Sequence, residues 1–393
     1  MTNTITDQAT VTGVDPLHSV TEMADLITGA VRESVALRRA PDDVIAELHA
    51  RGITRISWPH SRGGAQLSVT QQVQVLKALG ELDGSTAWVT AIYIAMPYMV
   101  HQFGQHVFDQ FLDSDTPYSA GVFSVTGTAT SVPGGYRLTG TWPFCSGQHH
   151  AGWIFVPANP EDGGPPIAAL IPRSEFRLAG AWDLTGLIGT GSNALSLTDA
   201  FVPDGHVISF QNILEGKNIG PGVLPHYYEQ PIVPIICAHS AGPAVGMATA
   251  ALGTFKRRIH TRPITYSHHG LQADAEITAR HLADAQALID EAEWCGRRAA
   301  QTVDHHVATG KPWDISTRVR CRFDGARAVK LCRDACDIIE KASGASARRE
   351  GDPLMAILRD IHALSLHAFL HYDTVAEAFG EVLAGKTPSY PVY

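Results

Sequence analysis

The stretch from Tyr136 to Trp153 reads YRLTGTWPFCSGQHHAGW. Tyr136, Leu138 and Gly140 alternate after the turn signal Pro133-Gly134-Gly135, and Trp142, Phe144 and Ser146 continue the same face as far as Gly147. The alternation predicts one strand that brings two aromatics and a hydroxyl to a single surface. A planar, partly polar cofactor needs such a surface, with aromatic walls to bury its ring and a hydroxyl that can donate or accept at a ring nitrogen. A plain sheet face in a core has the same pattern, so the stretch alone leaves both readings open.

Around it, a chain of 393 residues exceeds what one ordinary hydrophobic core organises, and two or three packed units are expected. A composition of 45% hydrophobic and 18% charged residues is that of a well-buried globular protein. The formal net charge of -9, with no basic face in view, argues against nucleic acid and leaves small molecules as partners. Cys145, Cys237, Cys295, Cys321, Cys332 and Cys336 form no CxxC pair, so free thiols in a reducing, cytoplasmic setting are expected. The polar N-terminus lacks a secretory pattern. The longest apolar run, Ala87 to Val100, is interrupted by Thr90 and Pro97 and falls short of the roughly 20 residues of a membrane span. It reads as a buried helix, and no membrane partner is expected.

From about Pro16 to Asp113 the pattern is helical: Pro41-Asp42-Asp43 opens one helix that Gly52 stops, Val73, Leu76 and Leu79 space another, and Asp83-Gly84-Ser85 starts the apolar one. Between about Thr116 and Phe210 short strand-like runs follow, at Gly121 to Val125, the opening stretch, Trp153 to Pro157, Ile167 to Ile171, Phe176 to Leu178 and Ala194 to Val202. Glu215 to Pro234, rich in glycine and proline, reads as an irregular connection. Helical stripes return with Leu282, Ala285, Leu288, Ala292 and Cys295, then Ala326, Val329, Cys332, Cys336 and Ile339. One last helix is expected from about Pro353 to Leu383.

That order, with four local motifs, resembles the acyl-CoA dehydrogenase fold and, within it, the group D two-component flavin-dependent monooxygenases. The motifs are Asp83-Gly84-Ser85-Thr86-Ala87-Trp88, Trp142-Pro143-Phe144-Cys145-Ser146-Gly147 with His150-Ala151-Gly152-Trp153, Gly189-Thr190-Gly191-Ser192-Asn193, and Arg359-Asp360 followed by His367. The resemblance implies an α+β fold with an N-terminal helical domain (1–115), a middle β-barrel domain (116–214) and a C-terminal four-helix bundle (215–393). It implies that Phe144 and Ser146 meet a flavin near its reactive nitrogen, that Thr190 and Ser192 sit on a neighbouring turn, and that Trp88 flanks the ring. Arg262, with Tyr266 beside it, resembles the arginine that reaches a flavin phosphate in the adjacent subunit of a homotetramer.

Gly189 to Ala194 also matches the dinucleotide pattern GxGxxA, but it precedes a strand instead of opening a helix, so a nicotinamide site is not expected there. The resemblance then implies reduced FMN or FAD delivered by a separate NAD(P)H:flavin reductase. Oxygen would add to give a C4a-hydroperoxyflavin that hydroxylates an aromatic or polycyclic small molecule, with Ser146 bonded at the flavin N5. Tyr93 and Met96 would supply a dry wall, and His150 and His371 are further substrate-side candidates.

Acyl-CoA dehydrogenases often carry a catalytic glutamate on the final helix, shortly after an Arg-Asp pair, where this chain has His367-Ala368. Removing a proton beside a thioester then lacks its base, whereas a neutral imidazole can act as general base toward a phenol. A hydrogen-bonded structural histidine is the alternative. His371 is expected one turn later on the same face, but HAFLH lacks the glutamate of the zinc protease motif and no third ligand stands out, so no metal is expected. Met96 stands where some phenol-hydroxylating relatives carry a histidine, which points away from an ordinary small phenol. Oxygenation at nitrogen or sulfur, an acyl-CoA dehydrogenase-type oxidation and a non-catalytic flavin carrier remain as alternatives.

Overall fold

The computed structural model describes residues 15–217 and 222–390. The polar N-terminus up to residue 14, and Gly220 and Pro221 of the predicted connection, lie outside the described residues. Helices α1 (Pro16–Glu22), α2 (Ala24–Leu37), α3 (Asp42–Ala50), α4 (Val69–Leu82), α5 (Gly84–Val100) and α6 (Gln105–Leu112) come first. Ser68 and Gln71 close a capping box on α4. The Asp83 carboxylate caps α5 by accepting from Thr86 N at 2.7 Å, which places Trp88 one turn into the helix. Every residue of α5 except Ile92 is buried, as the apolar run requires.

The middle of the chain forms β1 (Ser119–Gly121), β2 (Gly127–Val132), β3 (Gly135–Trp142), β4 (Trp153–Pro160), β5 (Ile167–Pro172), β6 (Arg177–Ala179), β7 (Ala194–Pro203) and β8 (Val207–Ser209). The sheet runs β6-β7-β3-β2-β4-β5-β8, with β1 also on β4. Of the run predicted over Gly121 to Val125, Gly121 ends β1 and the rest belongs to the connection between β1 and β2. These two short strands share one edge of β4, opposite Trp153 to Phe155 and Ala158 to Pro160.

The opening stretch departs from its prediction at Pro143. β3 ends at Trp142, because Pro143 offers no N–H to a ladder and Phe144 takes the left-handed φ of 61°. Trp142 is therefore no cofactor wall. Its ring is fully buried over the sheet, its Nε1–H bonds to the Pro157 carbonyl at 2.8 Å, and a Cβ on Gly127 would come within 2.0 Å of it. Past Pro143 the phase inverts, so that Cys145 points into the core and Phe144 out of it.

The last part holds α7 (Phe210–Glu215), α8 (Pro225–Tyr228), α9 (Ile232–Arg258), α10 (Glu276–Thr309), α11 (Ile315–Ser343), α12 (Pro353–Ser365) and α13 (Tyr372–Leu383). Helix α9 is long and apolar enough, by length and composition, to cross a membrane, yet 89% of its apolar window is buried inside the fold. It lies against α4 at backbone distance: a Cβ on Gly246 would sit 2.2 Å from the Lys77 carbonyl, and one on Gly80 2.7 Å from that of Pro243. The single last helix expected over Pro353 to Leu383 is two helices. Between them the carbonyls of Ala368 and Phe369 accept from the Arg322 guanidinium of α11, both at 3.2 Å, instead of continuing a helical ladder. His367 thus sits in a turn, and His371 is the N-cap residue of α13 instead of standing one helical turn further on the same face. One hydrophobic cluster passes from α5 through α9, α10 and α11 to α12, and a separate one fills the sheet.

Candidate active site

Three segments meet at Trp88: the start of α5, the loop after β3, and the turn between α12 and α13. Its indole Nε1–H donates to Ser146 Oγ at 3.1 Å, and its ring meets His367 edge-on with centroids 5.2 Å apart. Ser146 Oγ lies 2.7 Å from Ser192 Oγ, which lies 2.6 Å from Thr190 Oγ1. Trp88, Thr190 and Ser192 are buried, while Ser146 and His367 keep part of their surface open. Phe144 remains 65% exposed beside them, its ring edge-on to Trp182 at 6.1 Å. A large aromatic held outward by a left-handed backbone is an apolar surface without a protein partner over much of its area.

The turn bearing Thr190 and Ser192 is built for close approach. Leu187 and Gly191 adopt left-handed φ of 50° and 57°. A Cβ on Gly189 would come within 2.0 Å of Ser34 Oγ, and one on Gly191 within 2.5 Å of His149. Asp360 of α12 fixes the turn by accepting from Leu187 N at 2.6 Å. Burial, and then the neighbouring Asp83 carboxylate, push Asp360 up to about 7. The Tyr93 hydroxyl donates to the Gly147 carbonyl at 2.6 Å and its ring stacks on Tyr118, so it braces the Ser146 loop from behind.

His367 is held from two sides. Phe369 N–H donates to its Nδ1 at 3.3 Å, so the neutral ring carries its proton on Nε2. Burial, with a smaller contribution from the Arg322 cation, pushes the imidazole down to about 4. At neutral pH it is uncharged and presents an N–H.

The remaining candidates lie elsewhere. Met96 is buried in the core of α5. His150 bonds to Asp42 at 2.9 Å and lies 3.1 Å from Arg39, in a cleft of about 270 Å³ that includes His149, Tyr118 and Arg173 but not Trp88, Ser146 or His367. His371 does not join the Trp88 cluster; its carbonyl accepts from the Thr374 hydroxyl. Arg262 donates to the Ser343 carbonyl at 3.2 Å, and Tyr266 is fully exposed with a φ of 61°. Neither joins the Trp88 cluster within one chain. Arg322 and Leu187 were not foreseen. An arginine four residues before Ala326, in phase with an apolar stripe, was the available signal for Arg322, whereas nothing local marks Leu187.

An outward aromatic, a half-open hydroxyl, a glycine-lined turn and a neutral imidazole gather around Trp88, the kinds of group a planar, partly polar ring needs. They define an acyl-CoA dehydrogenase-type flavoprotein. Residues 22–110 match the acyl-CoA dehydrogenase N-terminal domain and residues 238–372 its C-terminal domain. A pigment production hydroxylase of Rhodococcus sp. (strain ATCC 21145) is 31% identical over 369 residues, which cover 90% of this chain and 92% of its own. XiaF from Streptomyces sp., solved with FADH2 and glycerol, superposes with a TM-score of 0.90 at 27% identity over 96% of this chain and 97% of its own. The 3-HSA hydroxylase from Rhodococcus sp. RHA1 does so with a TM-score of 0.86 at 26% identity, over 98% and 100%. The chain belongs to the acyl-CoA dehydrogenase family, on its branch of two-component flavin-dependent monooxygenase oxygenase components.

Proposed function

We propose that this chain takes reduced flavin from a separate reductase and hydroxylates an aromatic or polycyclic small molecule. One observation carries the reading: a single indole, Trp88, touches both the hydroxyl that would face the flavin and the histidine that would face the substrate. Phe144, Ser146, Thr190, Ser192 and Trp88 would hold the flavin, which when bound supplies the activated oxygen. Arg262 would reach a flavin phosphate across the subunit boundary of a homotetramer. The buried faces of α5 and α9 would keep water from the ring.

His367 narrows the general-base expectation. An imidazole held near 4 is a weak acceptor at neutral pH, and its Nε2–H is better placed to donate to a substrate oxygen as negative charge builds there. The same depressed basicity favours a second reading, oxygen transfer to nitrogen or sulfur, which needs no base. An experiment separates them: the protein, a generic flavin reductase and NADH are incubated under oxygen with phenols, polycyclic phenols, indoles and thioethers. Oxygen-dependent hydroxylation at carbon supports the first reading, and N- or S-oxides alone support the second. Failure to form any oxygenated product across the panel, with reduced flavin bound, would count against both.

A further inference from the structure

Three hydroxyls at this site and the Trp88 indole form a continuous hydrogen-bonded chain whose direction can be worked out. Thr190 Oγ1 lies 2.8 Å from the Leu187 carbonyl, which can only accept, so the single Thr190 proton goes there. Across the 2.6 Å contact Ser192 must then donate to Thr190. Its proton spent, Ser192 accepts from Ser146 across the next contact of 2.7 Å. Ser146 also accepts from Trp88 Nε1–H at 3.1 Å, and an indole N–H can only donate. Ser146 is left with no proton to give and one free lone pair, on the only member of the chain that keeps part of its surface open.

We propose that this fixed polarity makes Ser146 an acceptor toward the cofactor ring and thereby selects reduced over oxidised flavin. The proposal rests on the flavin reading above. Reduced flavin carries an N–H at N5, which Ser146 can accept. Oxidised flavin has a bare acceptor nitrogen there, which meets a lone pair. An isolated serine would rotate its hydroxyl to serve either form. Here rotation empties the contact with Ser192 of its proton, and refilling it from Ser192 would reverse the whole chain and cost the Thr190 bond to Leu187. Leu187 is itself anchored, since its N–H donates to Asp360.

Thr190→Val and Ser192→Ala each release the Ser146 proton, while Trp88→Phe removes only the donor and leaves Ser146 committed to Ser192. The Kd of FMN and of FAD is measured for each protein, oxidised by fluorescence quenching and reduced in an anaerobic cell. The ratio of oxidised to reduced Kd should fall about 3- to 10-fold in Thr190→Val and Ser192→Ala, the worth of one hydrogen bond. It should not fall in Trp88→Phe. If Thr190→Val does not fold, Ser192→Ala decides alone. A ratio unchanged or raised in a folded Thr190→Val or Ser192→Ala, or lowered equally in Trp88→Phe, overturns the polarity. Wild-type protein that binds neither redox form would instead overturn the flavin reading itself.

Discussion

The indole of Trp88 stands edge-on to the imidazole of His367, their planes inclined by 63°, while its N–H reaches back to Ser146. Trp88→Phe keeps an aromatic edge against His367 and deletes only the N–H. A lost neutral hydrogen bond is worth roughly 0.5–1.5 kcal/mol, and Ser146 keeps its bond to Ser192. More hydrogen peroxide should therefore escape per product, with a smaller defect than in Ser146→Ala. Assaying peroxide and product in one reaction gives both values; Trp88→Phe with wild-type coupling would show that the N–H does not matter.

His367→Ala should leave capture of reduced flavin within about twofold and slow product formation by about 10²-fold, the usual loss when one preorganised donor is removed. Because burial holds His367 near 4, it contributes no titration between pH 6 and 8. Single-turnover rates across that range should show substrate ionisation only. A limb near pH 6.5 that disappears in His367→Ala would restore the general-base role.

Arg322 is buried, and its guanidinium binds two successive carbonyls of the turn that carries His367. Arg322→Met should lower the melting temperature, since hydrogen bonds to charged groups contribute about 1.5–3 kcal/mol each. It should also reproduce the His367→Ala defect in product formation. In the double variant the two defects should not multiply, because both act through one ring. Multiplying effects would place Arg322 in a separate role.

Much of this fold was legible because α5, α10 and α11 carry full helical stripes and the sheet carries alternation. The errors cluster at two breaks. Pro143 inverts the strand phase, yet a strand followed by Pro-Phe-Cys-Ser keeps an apparent period of two, which by pattern alone puts Phe144 and Ser146 on the face of Trp142. The break after Ser365 leaves no proline or glycine in the sequence, because a side chain from α11, distant in sequence, ends that helix. Ser146, Thr190, Ser192, Trp88 and His367 do converge. His150 and Tyr93 do not reach the opening, since each is taken by a partner no local pattern reveals: Asp42 for one and the Gly147 carbonyl for the other.

Asp360 anchors the chain of hydroxyls through Leu187, and its acidity gives that anchor a pH signature. Held up to about 7, its carboxyl stays protonated in the folded protein at pH values where the unfolded chain, near the ordinary value of about 3.9, has released its proton. Between these values the folded state binds more protons, so this group's stabilising contribution, full below about pH 4, declines as pH rises toward 7 and is level above it. Asp360→Asn is neutral throughout and can still accept from Leu187 N through its amide oxygen. Other titrating groups are common to both proteins and cancel in the difference. The melting temperature of Asp360→Asn minus that of wild type should therefore be more positive at pH 8 than at pH 5, by about 3 °C: the two pH units from 5 to 7 are worth about 2.7 kcal/mol, and each kcal/mol shifts a chain of this length by about 1 °C. Calorimetric scans at the two pH values decide it: an equal difference at both would mean that Asp360 is ionised throughout that range and anchors Leu187 as a carboxylate.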